Sequence, residues 1–104
     1  MIITTSNQIE GKNIVNTLGL VKGNTIRARH IGKDIMAGLR GVVDGVITEY
    51  TKLMAEAREQ ALQRMIDDAE KKGANAIIGT RFTTSMVMSG AAELLVYGTA
   101  VMVE

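Results

Sequence analysis

His30 is the single histidine of a 104-residue chain that contains no cysteine. Within one copy, histidine pairs at finger or helical spacing, zinc–thiolate sets and iron–sulfur ligation are therefore closed routes to a metal. The soft donors left are methionines. Met86 and Met88, in the run MVM, are expected on one face of a strand, where two thioethers would suit copper(I). The same residues would equally serve as adaptable filling for a core or an interface, as Met36, Met54 and Met65 would on helices. A metal site built where subunits meet stays open, because symmetry multiplies a single ligand. Phosphate chemistry has one candidate, Gly38-Leu39-Arg40-Gly41 ahead of Asp44-Gly45 and a long helix, whose free amides could hold an anion beside Arg40. It lacks the Gly-Lys-Ser/Thr ending of a phosphate loop, and small residues there would also let a short helix pack closely. Arg27, Arg29, His30 and Lys33 form a local basic cluster that could grip phosphates or simply be a solvated strand end. Among carboxylates, Glu93 stands out because it opens an apolar strand, where burial would raise its pKa. No serine has a histidine partner fixed by a motif, and no catalytic residue is assigned.

Composition narrows the function classes further. Hydrophobic residues make up 46% and charged residues 22%, which fits one folded domain spanning residues 1–104. A net charge of +1 and only three aromatics (Tyr50, Phe82, Tyr97) argue against a nucleic-acid platform. No apolar run reaches membrane-spanning length, and the start MIITTSNQIEG lacks a signal peptide's pattern, so a cytoplasmic protein with no membrane partner is expected. Proline is absent, leaving turns to the eleven glycines and to Asn and Asp.

The element that must organise these residues runs from Thr48 to Gly73. Tyr50, Leu53, Met54, Ala57, Ala61, Leu62, Met65, Ile66 and Ala69 recur at spacings of three and four, one stripe along an α-helix. Lys71 and Lys72 suit its last turn and Gly73 its stop; Asp67–Lys71 and Asp68–Lys72 are four-residue pairs in the favourable order. A shorter helix is expected over Asp34 to Val43, broken at Asp44-Gly45. Strands are expected at Ile2–Thr5, Ile14–Arg29, Ala74–Met88 and Ala92–Val103. In the second, Leu18 and Leu20 would face one way and Val15 and Val21 the other, with a bulge at Gly19 and a turn or kink at Gly23-Asn24. In the third, Ala76, Ile78, Thr80, Phe82 and Thr84 would share one side. Ser89-Gly90 would turn into the last strand, which is apolar on both faces from Leu94 to Val103. One face can lie under the helices, and no segment of the chain is evident to cover the other. A neighbouring copy is the simplest supplier, and Val96→Asp is expected to give insoluble or dissociated protein.

The stretches LGLVKGNTIRAR, IGKDIMAGLRGVVDG, Tyr50 through AREQAL, GANAIIG and YGTAVMV together resemble the YbjQ-like family, small bacterial and archaeal proteins labelled heavy-metal-binding and without established activity. The resemblance runs from about Ile14 to Val103. It implies an α+β subunit, with one short and one long helix packed on an antiparallel sheet as in a dodecin subunit, assembling as a ring of five. Asp34, Gly38, Arg40, Gly45, Tyr50 and Arg58 match the family pattern. Gly41 and Asp44 depart from it, since the family more often carries Asp or Asn at the first and Gly at the second.

The sequence therefore predicts a non-enzymatic homo-oligomer, a pentamer by the resemblance, that acts by binding or assembly and needs no cofactor. Asp34, Arg40, Tyr50 and His30 are the candidates for a ligand site or subunit junction. The alternative is a small-molecule or metal-ion binding protein with its site between subunits, using Arg40, His30 or the weak metal candidates Met86 and Met88.

Overall fold

The computed structural model describes residues 1–28, 43–88 and 90–104. Four strands, β1 (Ile2–Ile3), β2 (Ile14–Ala28), β3 (Ala76–Met88) and β4 (Ala91–Val103), form one sheet in the order β1-β3-β4-β2, with helix α1 (Val43–Lys71) on one face. The class is α+β, as expected. The sheet is mixed rather than antiparallel, because β1 runs parallel to β3, pairing Ile2 with Ala76 and Ile3 with Ile77. The expected short helix over residues 34–43 lies outside the described residues, apart from Val43. The expected break at Asp44-Gly45 does not occur: α1 starts at Val43 and runs through Gly45. One helical glycine costs about 1 kcal/mol, too little to stop a 29-residue helix anchored by tertiary packing.

Ala57, Ala61, Met65 and Ala69 form the buried line of α1, four residues apart. Ala61, Met65 and Ala69 meet Val21 of β2, Val96 and Ala100 of β4 and Ile77 of β3, with Leu18, Leu62, Ile66 and Ile3 packed around them. Small residues along that line let the helix backbone come close. At Gly23 an added Cβ would strike the Ala61 carbonyl oxygen and the Met65 amide, so Gly23 is a contact point and no turn or kink is present. Polar groups stitch the same seam: Lys22 N–H donates to Asp68 (3.3 Å), Arg64 to Asn24 O (2.6 Å), and the buried Thr25 hydroxyl to Ala57 O (3.3 Å). The helix thus shields the outer edge of β2 over residues 22–25.

The helix stops as expected. Gly73 has φ +81°, Ala74 N–H returns to Ala69 O (3.1 Å) and Gly73 N–H to Glu70 O (3.0 Å), and Ala74 packs beside Ala69. The Asp68–Lys72 pair forms at 3.0 Å. The Asp67–Lys71 pair does not, since Asp67 accepts from Gln63 instead (3.0 Å).

Bulges decide which face each side chain takes. Register shifts occur between Thr17 and Gly19 on β2, and between Ile78 and Arg81 on β3. The first, with Gly19 at φ +109°, puts Leu18 and Val21 together under the helix and sends Leu20 to the far side. The second, with Gly79 at φ +61°, overturns the expected alternation of β3. Beyond it Phe82 pairs Val96 and Thr84 pairs Leu94 on the helix side, whereas Arg81 pairs Tyr97 and Thr83 pairs Leu95 on the far side. This bulge leaves the Thr80 hydroxyl buried and without a hydrogen-bond partner among the described residues.

The far face is partly covered by the chain itself, contrary to expectation. Ile9, in the segment after β1, packs with Ile78 against Ala76, Val101 and Val103. Cover ends there. The subunit is elongated, 56 × 24 × 17 Å, with a radius of gyration of 17.4 Å where a compact chain of this length has about 13 Å.

Candidate functional site

On the uncovered part of the far face, registered pairs build three rows across β2, β4 and β3. They are Lys22–Tyr97–Arg81, Asn24–Leu95–Thr83 and Ile26–Glu93–Ser85, and Leu20–Thr99–Ile78 borders them toward the Ile9 end. Leu20 is 64% exposed, Ile26 57% and Tyr97 38%, so among the described residues nothing covers these apolar side chains. Two cations flank the tyrosine. Arg81 donates to Thr5 O (2.9 Å) and Thr80 O (2.8 Å), which ties it to the segment after β1. Glu93 is half-buried and accepts from Asn24 (3.1 Å), so it is a hydrogen-bonded surface group and not an isolated buried acid. None of these far-face residues except Glu93 stood out in the sequence. Their adjacency comes from the bulges, and the signal that could have revealed it was the glycine at each one.

The sequence candidates fall differently. His30, Asp34 and Arg40 lie outside the described residues, as do Gly38 and Gly41. Tyr50 lies on α1, eight residues in from its start. Of the basic cluster, Arg27 donates to Gln60 of α1 and so braces helix against strand. Met86 (79% exposed) and Met88 (68%) are both near the end of β3, but the expected shared face is lost. A register shift between them pairs Met86 with Ala92 and Met88 with Ala91. Adjacent residues of β4 point to opposite sides, so the two thioethers diverge. Among the described residues no group of three or more His, Cys, Asp or Glu could hold a metal ion. The donors described here do not fit a heavy-metal site within one subunit.

Among the described residues, Asp68 is a carboxylate whose surroundings shift its titration. The hydrogen bond from Lys72 holds its carboxyl below the usual range against a smaller opposing effect of burial, and Lys22 N–H assists. This is a structural latch between α1 and β2.

The whole chain, residues 1–104, matches a protein family described as "Putative heavy-metal-binding", the YbjQ family. The chain belongs to that family. UPF0145 proteins are its relatives at high identity: 61% over 101 residues in Methanosarcina acetivorans, covering 97% of this chain and 95% of that protein, and 61% over 104 residues in Dehalococcoides mccartyi, covering all of both. A crystal structure of a protein with unknown function of the DUF74 family, from Pediococcus pentosaceus, superposes with a TM-score of 0.69 at 17% identity. The match covers 100% of this chain and 98% of that one, and it establishes the fold. The YbjQ chain is thus an α+β unit. Among the described residues no helix is long and apolar enough to cross a membrane.

Proposed function

We propose that this protein works as a homo-oligomer, a ring of five as the family resemblance implies, whose task is binding or assembly in the cytoplasm and not catalysis. One observation carries the reading: Leu20, Ile26, Leu95 and Tyr97 form an apolar surface on the sheet's far face that the subunit's own N-terminal segment stops short of covering. Apolar area of this kind, rimmed by Lys22, Arg81 and Asn24, is what a subunit contact buries. The elongated shape agrees, since a lone domain of this size removes only about two-thirds of its unfolded surface from water. The partner in this reading is the chain itself. Neither a nucleic acid nor a membrane is part of it, and Asp34, Arg40, Tyr50 and His30 remain the candidates for polar contacts at the junction.

Sedimentation velocity and native mass spectrometry of the purified protein over a hundredfold dilution test this. A fixed multiple of the subunit mass is expected. A single-copy species throughout would refute the assembly, and a small molecule retained in fixed stoichiometry would move the reading to a ligand site between subunits.

A further inference from the structure

The outer edge of β3 is occupied along its first part only. Thr4 N–H donates to Ile77 O (3.0 Å), Gly79 N–H to Ser6 O (2.9 Å) and Thr80 N–H to Thr4 O (3.0 Å). Beyond Arg81 no strand of the described chain lies alongside, because β1 ends at Ile3. Thr80 N–H points outward, and the strand's period of two puts the amides and carbonyls of Phe82, Thr84 and Met86 on that same outer side. Every residue from 81 to 88 is exposed. From Phe82 to Met88 the run reads FTTSMVM, β-prone, uncharged and free of proline, the pattern of a segment that adds to another strand. Edges meant to stay single carry charges, prolines, bulges or a cover, and among the described residues Phe82–Met86 has none of these.

We propose that Phe82–Met86 pairs antiparallel with the same segment of a second copy, about a twofold axis at Thr84, joining two sheets into one. Among the described residues the other edges offer shorter free runs, on β2 only the stretch beyond residue 25. The edge of β2 is covered by α1 over residues 22–25 and broken by two register shifts between Ile14 and Gly19, and β1 is two residues long. An uncharged segment meets its own copy without like-charge repulsion. With Thr84 at the centre, the three outward-facing residues oppose one another. Thr84 meets Thr84, and each Phe82 meets a Met86 on the helix side, a sulfur–aromatic contact. The proposal uses an edge and not the far face; combined with a ring of five it joins two rings into ten copies, and it rests on the assembly reading only in requiring more than one copy.

Thr84→Pro tests it. The Thr84 amide makes no bond within the subunit, so proline removes nothing from the β3–β4 ladder and blocks strand addition. Its circular dichroism should match the wild type, and its mass by sedimentation should fall twofold. Thr84→Cys supplies a second readout that needs no disruption: in a chain without cysteine, a short bifunctional thiol reagent should link subunits in pairs. A Thr84→Pro protein with wild-type circular dichroism and wild-type mass overturns the proposal. So does Thr84→Cys protein that yields no linked pairs. A wild type that sediments as a single copy overturns this pairing and the assembly reading together, whereas an assembly indifferent to both substitutions overturns the pairing alone.

Discussion

Aspartate placed on either side of the sheet separates the packing of the subunit from its association. Val96 is fully buried beneath Ala61 and Met65, and Leu20 is largely exposed on the far face. Val96→Asp removes a core side chain and leaves a carboxylate in apolar surroundings, a loss of several kcal/mol against a total stability of about 5–15 kcal/mol. The substitution chosen from sequence as an assembly probe therefore reports on the fold of the subunit, and unfolded protein is expected. Leu20→Asp exchanges a solvated side chain for another in the free subunit, where surface changes stay within about 0.5 kcal/mol. In an assembly that covers the far face it forfeits about 2 kcal/mol of leucine burial. Desolvating the carboxylate adds at least about 2 kcal/mol, a low figure taken because Lys22 stands two residues away on the same face. About 4 kcal/mol per contact corresponds to roughly a thousandfold weaker association. Circular dichroism and urea midpoint should stay near those of the dissociated wild type, while sedimentation at micromolar concentration shows the particle breaking up. A folded Leu20→Asp protein that keeps the wild-type mass on dilution would show that the far face is not the contact.

Further outcomes follow from single contacts. Gly23→Ala drives a methyl into the Ala61 carbonyl and Met65 amide, so α1 must lift and strain the Asp68 and Thr25 bonds; a loss of about 2–3 kcal/mol in urea unfolding is expected, and an unchanged midpoint would refute the close approach. Asp68 has a folded pKa below its unfolded value near 3.8, so its contribution is present above that value and fades as pH falls through the folded pKa. Being a largely solvated pair screened by salt, it is worth under about 1 kcal/mol, and Asp68→Asn should lower stability near pH 7 by no more than that amount and flatten the acid limb of the profile between about pH 5 and pH 2. Diverging Met86 and Met88 make no joint thioether site, so Met86→Ala/Met88→Ala should titrate with copper(I) as the wild type does; loss of a stoichiometric site would place the metal there after all.

The long helix was legible because its evidence is local and redundant: Ala57, Ala61, Met65 and Ala69 mark the buried line, and Gly73 closes it with the expected return bonds. Strand limits lay within two residues of those observed, and the two-sided apolar character of β4 holds, with Val96 and Ala100 on one side and Val101 and Val103 on the other. Side-chain facing was the part that failed. A period of two carries no memory of an inserted residue, so one bulge at Gly79 reverses every assignment from Thr80 onward. A bend or bulge is expected from sequence at Gly19 and none at Gly79, although both sit at positive φ; Gly23, with no such φ, is expected with Asn24 as a tight turn or irregular kink when its role is to admit a helix backbone. Ile9 was missed as cover because a lone apolar residue in a turn-like segment carries no periodic signal. Of the expected polar site, only Tyr50 falls on a described element, so legibility there can be judged for the helix that carries it and for nothing else.

The surplus apolar surface divides into two kinds that call for different contacts. The far face presents side chains and backbone groups already paired within the sheet, so it asks only for packing and tolerates any apolar partner of the right shape. The edge of β3 presents amides and carbonyls at Phe82, Thr84 and Met86 that no other described strand pairs, so it asks for another strand. A contact through the far face meets a different surface of the next copy unless twofold, and it can close a ring. A contact through the edge joins like to like and stops at two. Because Leu20 and Thr84 lie on opposite outer strands of the sheet, β2 and β3, their substitutions act on different contacts. The order in which an assembly loses mass under Leu20→Asp and Thr84→Pro therefore reads out which of the two surfaces holds which subunits together.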